Sequence, residues 1–311
     1  MPSLVSVIVP AYNCAATIAE TLESVLAQDY GAIELIVVND GSKDHTLEVL
    51  RGFGGRIRVV DQANAGPPAA RNAGIAAARG EYIAFIDADD IWLPGKVSAQ
   101  VRHLETHPEV GTTYTAWHVW EPDGNGRFST PGHLAGVAVG DDIDPALSGW
   151  LYDRLLFTSE LLTSTVLLRR SLAERVGGFD LALWNGDDYD YWIRLSREAK
   201  ISKLASVGVL YRQLPGSVSR SPKEVNFELE VISRALRQWG PVGPDGRAVD
   251  ARRLAERLEA LELAHGYAHL QRGNPQIAWK VYCQAAKRRP TRLSYSLNAV
   301  KALWRLAAQA R

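Results

Sequence analysis

Cysteine is scarce in the 311-residue sequence: Cys14 and Cys283 are the only two, far apart. That excludes a disulfide framework or a zinc site, and a reducing compartment is expected. Long apolar runs are missing too. No stretch approaches the roughly eighteen residues that would span a bilayer as a helix. The opening "MPSLVSVIVPAYN" has no basic stretch ahead of its apolar run. That run is only strand-length, and no small-residue cleavage site follows, so no export signal is expected. Nor does one sign of charge dominate: 35 Lys and Arg balance 35 Asp and Glu. Balanced charge gives no bulk attraction to nucleic acid or acidic membranes, though it leaves room for a local basic patch, and nucleic acid is not expected as a partner. Two nucleotide-binding signatures are also absent. There is no G-x-G-x-x-G after the first strand-like run and no G-x-x-x-x-G-K-[ST], which argues against a Rossmann-type dinucleotide enzyme and a P-loop enzyme.

The chain is 46% hydrophobic, enough to build a sizeable core. Its first hundred residues alternate. "LVSVIVP", "IELIVVND", "RIRVVDQ" and "EYIAFID" read as strands. Between and after them, "AATIAETLESVLAQ", "SKDHTLEVLRGF", "PPAARNAGIAAARG" and "PGKVSAQVRHLETH" read as helices. Ser42 is placed to cap the second helix, and Gly80 to end the third. This βαβ order predicts an α/β fold with a mostly parallel sheet and helices on both faces. Ligands bind such sheets at the carboxyl ends of the strands. "PAYN", "NDGS" and "DADD" each fall at such an end. Further on, "GTTYTAWHVW", "TSTVLLRR" and "VGVLYRQ" read as strands, and "SLAERVGGF" and "DYDYWIRLSREA" as helices. After residue 221 the pattern becomes long and helical, so a catalytic domain over 1–221 and a helical region over 222–311 are expected.

"FIDADDIWLPGK" crowds Asp87, Asp89 and Asp90 into four positions. Carboxylates so close raise one another's pKa and call for a counter-charge. Hard oxygen ligands select Mg²⁺ or Mn²⁺, which bind through one or two carboxylates plus substrate phosphates. A nucleoside diphosphate held through a divalent cation is the reading this favours. Asp40, at the end of the second strand, is placed to accept a ring N–H from a pyrimidine base.

Taken in order, "SVIVPAYN", "LIVVNDGSKDHT", "ARNAGIAAARGEYIAFIDADD" with "WLPGK", and "GGFD…GDDYDYWIRL" resemble the family 2 glycosyltransferases of GT-A fold over roughly residues 4–215. The resemblance implies inverting, metal-dependent transfer of a sugar from a UDP- or dTDP-linked donor to a glycan, glycolipid or other lipid-linked acceptor. A role in cell-surface polysaccharide synthesis is implied as well. By position, Pro10, Tyr12 and Asp40 should line the base pocket, and Arg71 should lie by the diphosphate or base. Asp87 and Asp89 form the D-x-D pair with Ala88 between them. Asp89 should be the direct metal ligand, with Asp90 behind it.

Asp188 is the expected base that takes the acceptor proton. Asp187 stands where the family commonly has Glu, and Trp184 could stack on the acceptor sugar. Arg212 and Ser217, in "YRQLPGSVSR", should reach phosphate from a closing loop. The family's processive members carry Q-x-x-R-W near here; this chain lacks it, so a single addition is expected. A sugar-phosphate nucleotidyltransferase would want a Gly-rich, basic loop after the first strand, which "PAYNCAATIAE" is not. An inactive carbohydrate-binding or scaffold protein would have no reason to keep Asp40, Asp87, Asp89 and Asp188 together.

In the C-terminal region, Gly266, Ala278, Tyr282, Ala285 and Pro290 fall at the spacings of a tetratricopeptide-like hairpin. The last helix aligns Leu293, Leu297, Val300 and Trp304 beside Arg292, Lys301, Arg305 and Arg311. That helix should face a core, pair two copies as a homodimer, or lie on a membrane surface. A cytoplasmic protein, or one peripheral on the inner membrane face, is expected.

Overall fold

The computed structural model describes residues 2–214 and 223–309. The chain runs β1 (Val5–Ala11), α1 (Ile18–Leu26), β2 (Ile33–Asp40), α2 (Thr46–Gly52), β3 (Arg58–Gln62), α3 (Pro67–Ala77) and β4 (Tyr82–Phe85). It continues through β5 (Ile91–Trp92), α4 (Lys96–Thr106), β6 (Val110–Trp120), α5 (Tyr152–Leu155), β7 (Leu167–Arg169), α6 (Arg170–Val176), α7 (Asp187–Glu198) and β8 (Lys200–Arg212). Four helices follow: α8 (Phe227–Trp239), α9 (Ala251–Arg272), α10 (Pro275–Arg288) and α11 (Leu293–Gln309).

One eight-stranded sheet has the order β3-β2-β1-β4-β7-β6-β8-β5. β1 pairs in parallel with both β2 and β4, as do β2 with β3 and β6 with β8. β7 runs antiparallel to β4 and β6, and β5 antiparallel to β8. The central strands are apolar on both sides because both faces are covered. Val5, Val7 and Val9 pack with Ile18, Leu22, Leu50, Val97 and Val101 from α1, α2 and α4. Ile36 and Val38 pack with Ala70 and Ala73 of α3 on the other face. There α3 lies so close to β1 that a Cβ on Gly74 would stand 2.3 Å from Ile8 Cγ2. Strand order reverses on either side of β1, which opens a crevice at the carboxyl ends of β1 and β4.

Several local readings are corrected. α2 starts at Thr46, and Ser42 does not cap it: Ser42 Oγ accepts from Asn13 N (3.1 Å) while Asp44 Oδ1 takes Thr46 N (3.0 Å). α3 ends at Ala77, before Gly80. Gly80 is instead needed for close approach to β1, since a Cβ there would meet Leu4 O at 2.6 Å. "TSTVLLRR" is a 3₁₀ turn, Thr163–Thr165, followed by a three-residue strand.

By its packing the chain divides into Met1–Leu214 with Val242–Arg247, and Pro215–Pro241 with Ala248–Arg311. A single cut at 221, which lies outside the described residues, misses the return of 242–247 to the first unit. Arg197 Nη1 donates to Val242 O (2.6 Å) and Arg247 Nη2 to Trp150 O (2.5 Å), which ties that return down.

In the second unit, Asn226, Asp250 and Asn274 cap α8, α9 and α10 with their side chains. α9 and α10 form a close hairpin, in which a Cβ on Gly266 would meet Val281 Cγ1 at 2.7 Å. Ala278, Tyr282 and Ala285 are buried. α11 turns Tyr295, Ala299 and Ala302 inward, so the expectation of a core-facing Leu293, Leu297, Val300 and Trp304 is wrong. Small alanines allow closer helix approach than the leucine face would.

Candidate active site

The three crowded aspartates are resolved in three different ways. Asp90 turns inward and is fully buried, its Oδ1 accepting from Arg212 N (3.0 Å) and its Oδ2 from Ser164 Oγ (2.5 Å). Burial, then Asp87 and Asp89, push its carboxyl well above the ordinary range. Asp87 Oδ1 accepts from Arg71 Nη2 at 3.0 Å, and Asp87 N donates to Ser164 Oγ at 3.0 Å. Asp89 forms no ion pair among the described residues. Burial, and then repulsion from Asp87, raise its carboxyl to about 6. One charge is met by a guanidinium and one is withdrawn into the core. The third has no ion pair among the described residues and stands beside a second carboxylate.

Arg71, on α3, is nearly buried and links two motifs. Nη1 donates to Asp187 Oδ2 (2.6 Å) while Nη2 holds Asp87. Burial alone would favour loss of its proton, but Asp87, then Asp187 and Asp188, outweigh it and raise its pKa. These bonds use two of its five N–H donors, and its buried Nε has no partner among the described residues. Asp187 is lifted to about 6 by burial, against the pull of Arg71. Its Oδ2 accepts the bond from Arg71 Nη1.

α7 begins after Gly186, whose φ of +77° glycine tolerates without strain. Three acids in its first turn complement the helix dipole. Asp187 is held by Arg71, and Asp190 by Arg194 at 2.7 Å. Asp188 alone of the three has no ion pair among the described residues. It is half-buried and accepts from Thr163 Oγ1 (3.2 Å) and Tyr189 N (2.7 Å). A carboxylate with spare lone pairs, oriented by a hydroxyl, can take a proton.

Asp40 closes the end of β2. Its Oδ1 accepts from Gln62 Nε2 (2.7 Å) and Ala65 N (2.8 Å), and its Oδ2 from Gly66 N (2.8 Å). A carboxylate has about four acceptor positions, so a base N–H would take the last one. Asp40 therefore builds the β3–α3 loop, whatever else it binds. Trp184 is 56% exposed, not core-packed, and lies against that loop. A Cβ on Gly66 (φ +88°) would meet its Cζ3 at 2.9 Å. Tyr12 is half exposed just past β1, and Pro10 pairs with Val38 within it. Ala88 O accepts from Thr17 Oγ1 at 2.9 Å.

Arg212 is not on a closing loop. It ends β8, buried, with Nε donating to Asp89 O (2.6 Å) and Nη2 to Glu20 Oε2 (2.5 Å). Its guanidinium rests over Trp120, 4.4 Å from the ring centroid. It braces the D-x-D turn through Asp89 O. Ser217 lies outside the described residues. Thr163 and Ser164 were not foreseen: read as strand, they join Asp188, Asp87 and Asp90. Their signal was three adjacent hydroxyl residues, all buried here, before an apolar run.

No group of three or more His, Cys, Asp or Glu that could hold a metal is found among the described residues. Mg²⁺ and Mn²⁺ bind through one or two carboxylates plus substrate phosphates. The donor set fits, since Asp89 is raised by Asp87 and a divalent cation between them would relieve that repulsion.

Comparison with known proteins agrees with this architecture. Residues 6–131 match the model of Glycosyl transferase family 2. The chain is 33% identical over 221 residues, 70% of its length and 80% of the relative's, to the Escherichia coli UDP-Glc:alpha-D-GlcNAc-diphosphoundecaprenol beta-1,3-glucosyltransferase WfaP. A 34% identical, uncharacterized glycosyltransferase of Rickettsia conorii matches 74% of this chain, which spans only 37% of that relative's length. Among solved structures, S. aureus TarS 1-349 in complex with UDP-GlcNAc superposes with a TM-score of 0.62 at 19% identity, covering 96% of this chain and 89% of that one. The mannosyltransferase PcManGT of Pyrobaculum calidifontis, in complex with GDP-Man and Mn²⁺, gives 0.58 at 21% identity, covering 97% and 86%. At such identities the structural likeness speaks for the fold alone. Together with the D-x-D turn at the carboxyl end of β4, the sequence matches establish that the chain belongs to glycosyltransferase family 2, with a GT-A fold.

Proposed function

We propose that this chain is an inverting glycosyltransferase. Its donor would be a UDP- or dTDP-linked sugar and its acceptor a hydroxyl of a glycan or a lipid-linked glycan, in cell-surface polysaccharide synthesis. The observation that carries this reading is the Arg71 bridge, which fixes the D-x-D turn against the acid-rich first turn of α7. Donor-side and acceptor-side chemistry are thereby held by one buried guanidinium. A UDP-GlcNAc complex among the structural neighbours supports the donor class. A relative named for a diphosphoundecaprenol-linked substrate supports the acceptor class.

In this mechanism Asp87 and Asp89 would hold Mn²⁺ or Mg²⁺, which would supply positive charge where the leaving diphosphate gains negative charge. Asp188 accepts the proton of the attacking hydroxyl, held in place by Thr163. The pairing of Asp190 with Arg194 favours Asp188 over it as the base. Asp187 acts through Arg71 as a positioning residue. Tyr12 and Trp184 offer exposed aromatic faces, one for the base and one for a sugar. No helix among the described residues is long and apolar enough to cross a membrane, and we place the enzyme in the cytoplasm or on the inner membrane face.

Calorimetric titration of UDP tests the donor reading. Binding should be clearly tighter with Mn²⁺ than with EDTA, and equal affinity in both would remove the metal from the mechanism. No binding in either would remove the uridine donor.

A further inference from the structure

α11 carries two opposed faces. Ala299 and Ala302 pack in a small core with Leu270 of α9 and Ala278 and Tyr282 of α10, and the buried Tyr295 donates its hydroxyl to Glu259 Oε1 of α9. Leu293, Leu297, Val300, Leu303 and Trp304 point away and are between 52% and 76% exposed. At 100° per residue, Leu293, Leu297, Val300 and Trp304 fall within roughly 60° of the helix circumference. Burying four large apolar side chains would be favourable, and nothing in the described residues covers them.

The surrounding charge says what does. Residues 275–311 contain eight Lys and Arg and no Asp or Glu, although the whole chain is formally neutral. Arg288 and Arg289 are paired with Glu262 and Glu259 of α9. Lys280, Lys287, Lys301 and Arg305 have no ion pair among the described residues. Lys301 and Arg305 lie one and five residues past Val300, along one flank of the apolar stripe. A second copy docking stripe to stripe would bring Lys301 and Arg305 against their own kind, with no acid on α10 or α11 to offset them. An anionic surface with an apolar interior answers both the charge and the stripe.

We propose that α11 is a membrane-surface docking helix, which lies in the interface of a bilayer rich in anionic phospholipid, with Trp304 and the leucines inserted. It does not span the bilayer, since no described helix is long and apolar enough to do so. The proposal is independent of catalysis, and its test reads no sugar transfer.

The full chain is sedimented with vesicles of equal parts phosphatidylglycerol and phosphatidylcholine, and with pure phosphatidylcholine. The triple variant Leu297→Glu, Val300→Glu, Trp304→Glu is run beside it. These side chains are exposed, so the variant should melt like the native chain. The native chain should bind the mixed vesicles, with binding about tenfold weaker to pure phosphatidylcholine and at least about tenfold weaker in the triple variant. Lys301→Glu with Arg305→Glu should weaken it severalfold, an effect that high salt should reproduce in the native chain. Equal binding of native and triple variant, or no binding of the native chain, overturns the proposal. So does light scattering that finds a native dimer which the triple variant converts to monomer, because the stripe is then an interface between copies.

Discussion

Asp89→Asn should make the ligand-free protein more stable while weakening its hold on the donor. Native Asp89 keeps its proton up to about 6, whereas the unfolded chain releases it near 3.8. The folded state therefore binds protons more tightly, and this residue's stabilising contribution is present below 3.8 and lost as pH rises through about 6. Above that, the ionised side chain is held against burial and against Asp87. A gap of about two units corresponds to about 3 kcal/mol at most. Water still reaches the half-buried carboxylate, and screening brings the figure to about 1–2 kcal/mol. For a unit of some two hundred residues that is roughly 2–8 °C in Tm. Asparagine keeps the shape and removes the charge. Thermal melts in EDTA at pH 8 should show the variant above the native protein by that margin. The margin should shrink as pH falls below 6 and nearly vanish near 4. Adding Mn²⁺ with UDP should reverse the order, because ligand bound to the native state raises its Tm by mass action. A variant less stable than native in EDTA at pH 8, or a gain that ignores pH, would refute the reasoning.

Arg71→Ala should destabilise the protein by about 3–5 kcal/mol, since it strands the buried Asp187 and frees Asp87; chemical denaturation measures this, and a loss below about 1 kcal/mol would show that the bridge is not a buried one. Gly74→Ala should cost about 1–3 kcal/mol by forcing α3 off Ile8, visible as a lower denaturation midpoint with donor affinity little changed.

What the sequence made legible followed from pattern and spacing. The β-branched runs of β1, β2 and β4 and the helical periodicity of α1 and α4 suffice for the α/β half, because each element buries a face whose period is written in its own residues. The acids at strand ends were legible for the same reason, as charge directly after an apolar run demands a purpose. Long-range pairings were not. Arg71 reads as one cation on an Ala-rich helix, and nothing local tells that Asp187, 116 positions away, holds it. Arg212 falls near the end of the strand-like run "VGVLYRQ", and nothing local tells that its guanidinium turns back to Asp89 O and Glu20. The two-residue β5 is too short for any period. In α11 periodicity identified the apolar stripe correctly but could not tell which face the neighbours would take; two alanines and a tyrosine won because small side chains pack closest.

The most direct test of the proposed chemistry is the rate of UDP release from UDP-glucose and UDP-GlcNAc, in Mn²⁺, by the native chain and by Asp188→Asn, with donor affinity measured in parallel. Hydrolysis needs no known acceptor, and water too must lose its proton to a base. The account predicts unchanged donor affinity and a rate lower by about 10²- to 10⁴-fold in the variant. A variant that releases UDP at the native rate would contradict it, since the base would then not be Asp188.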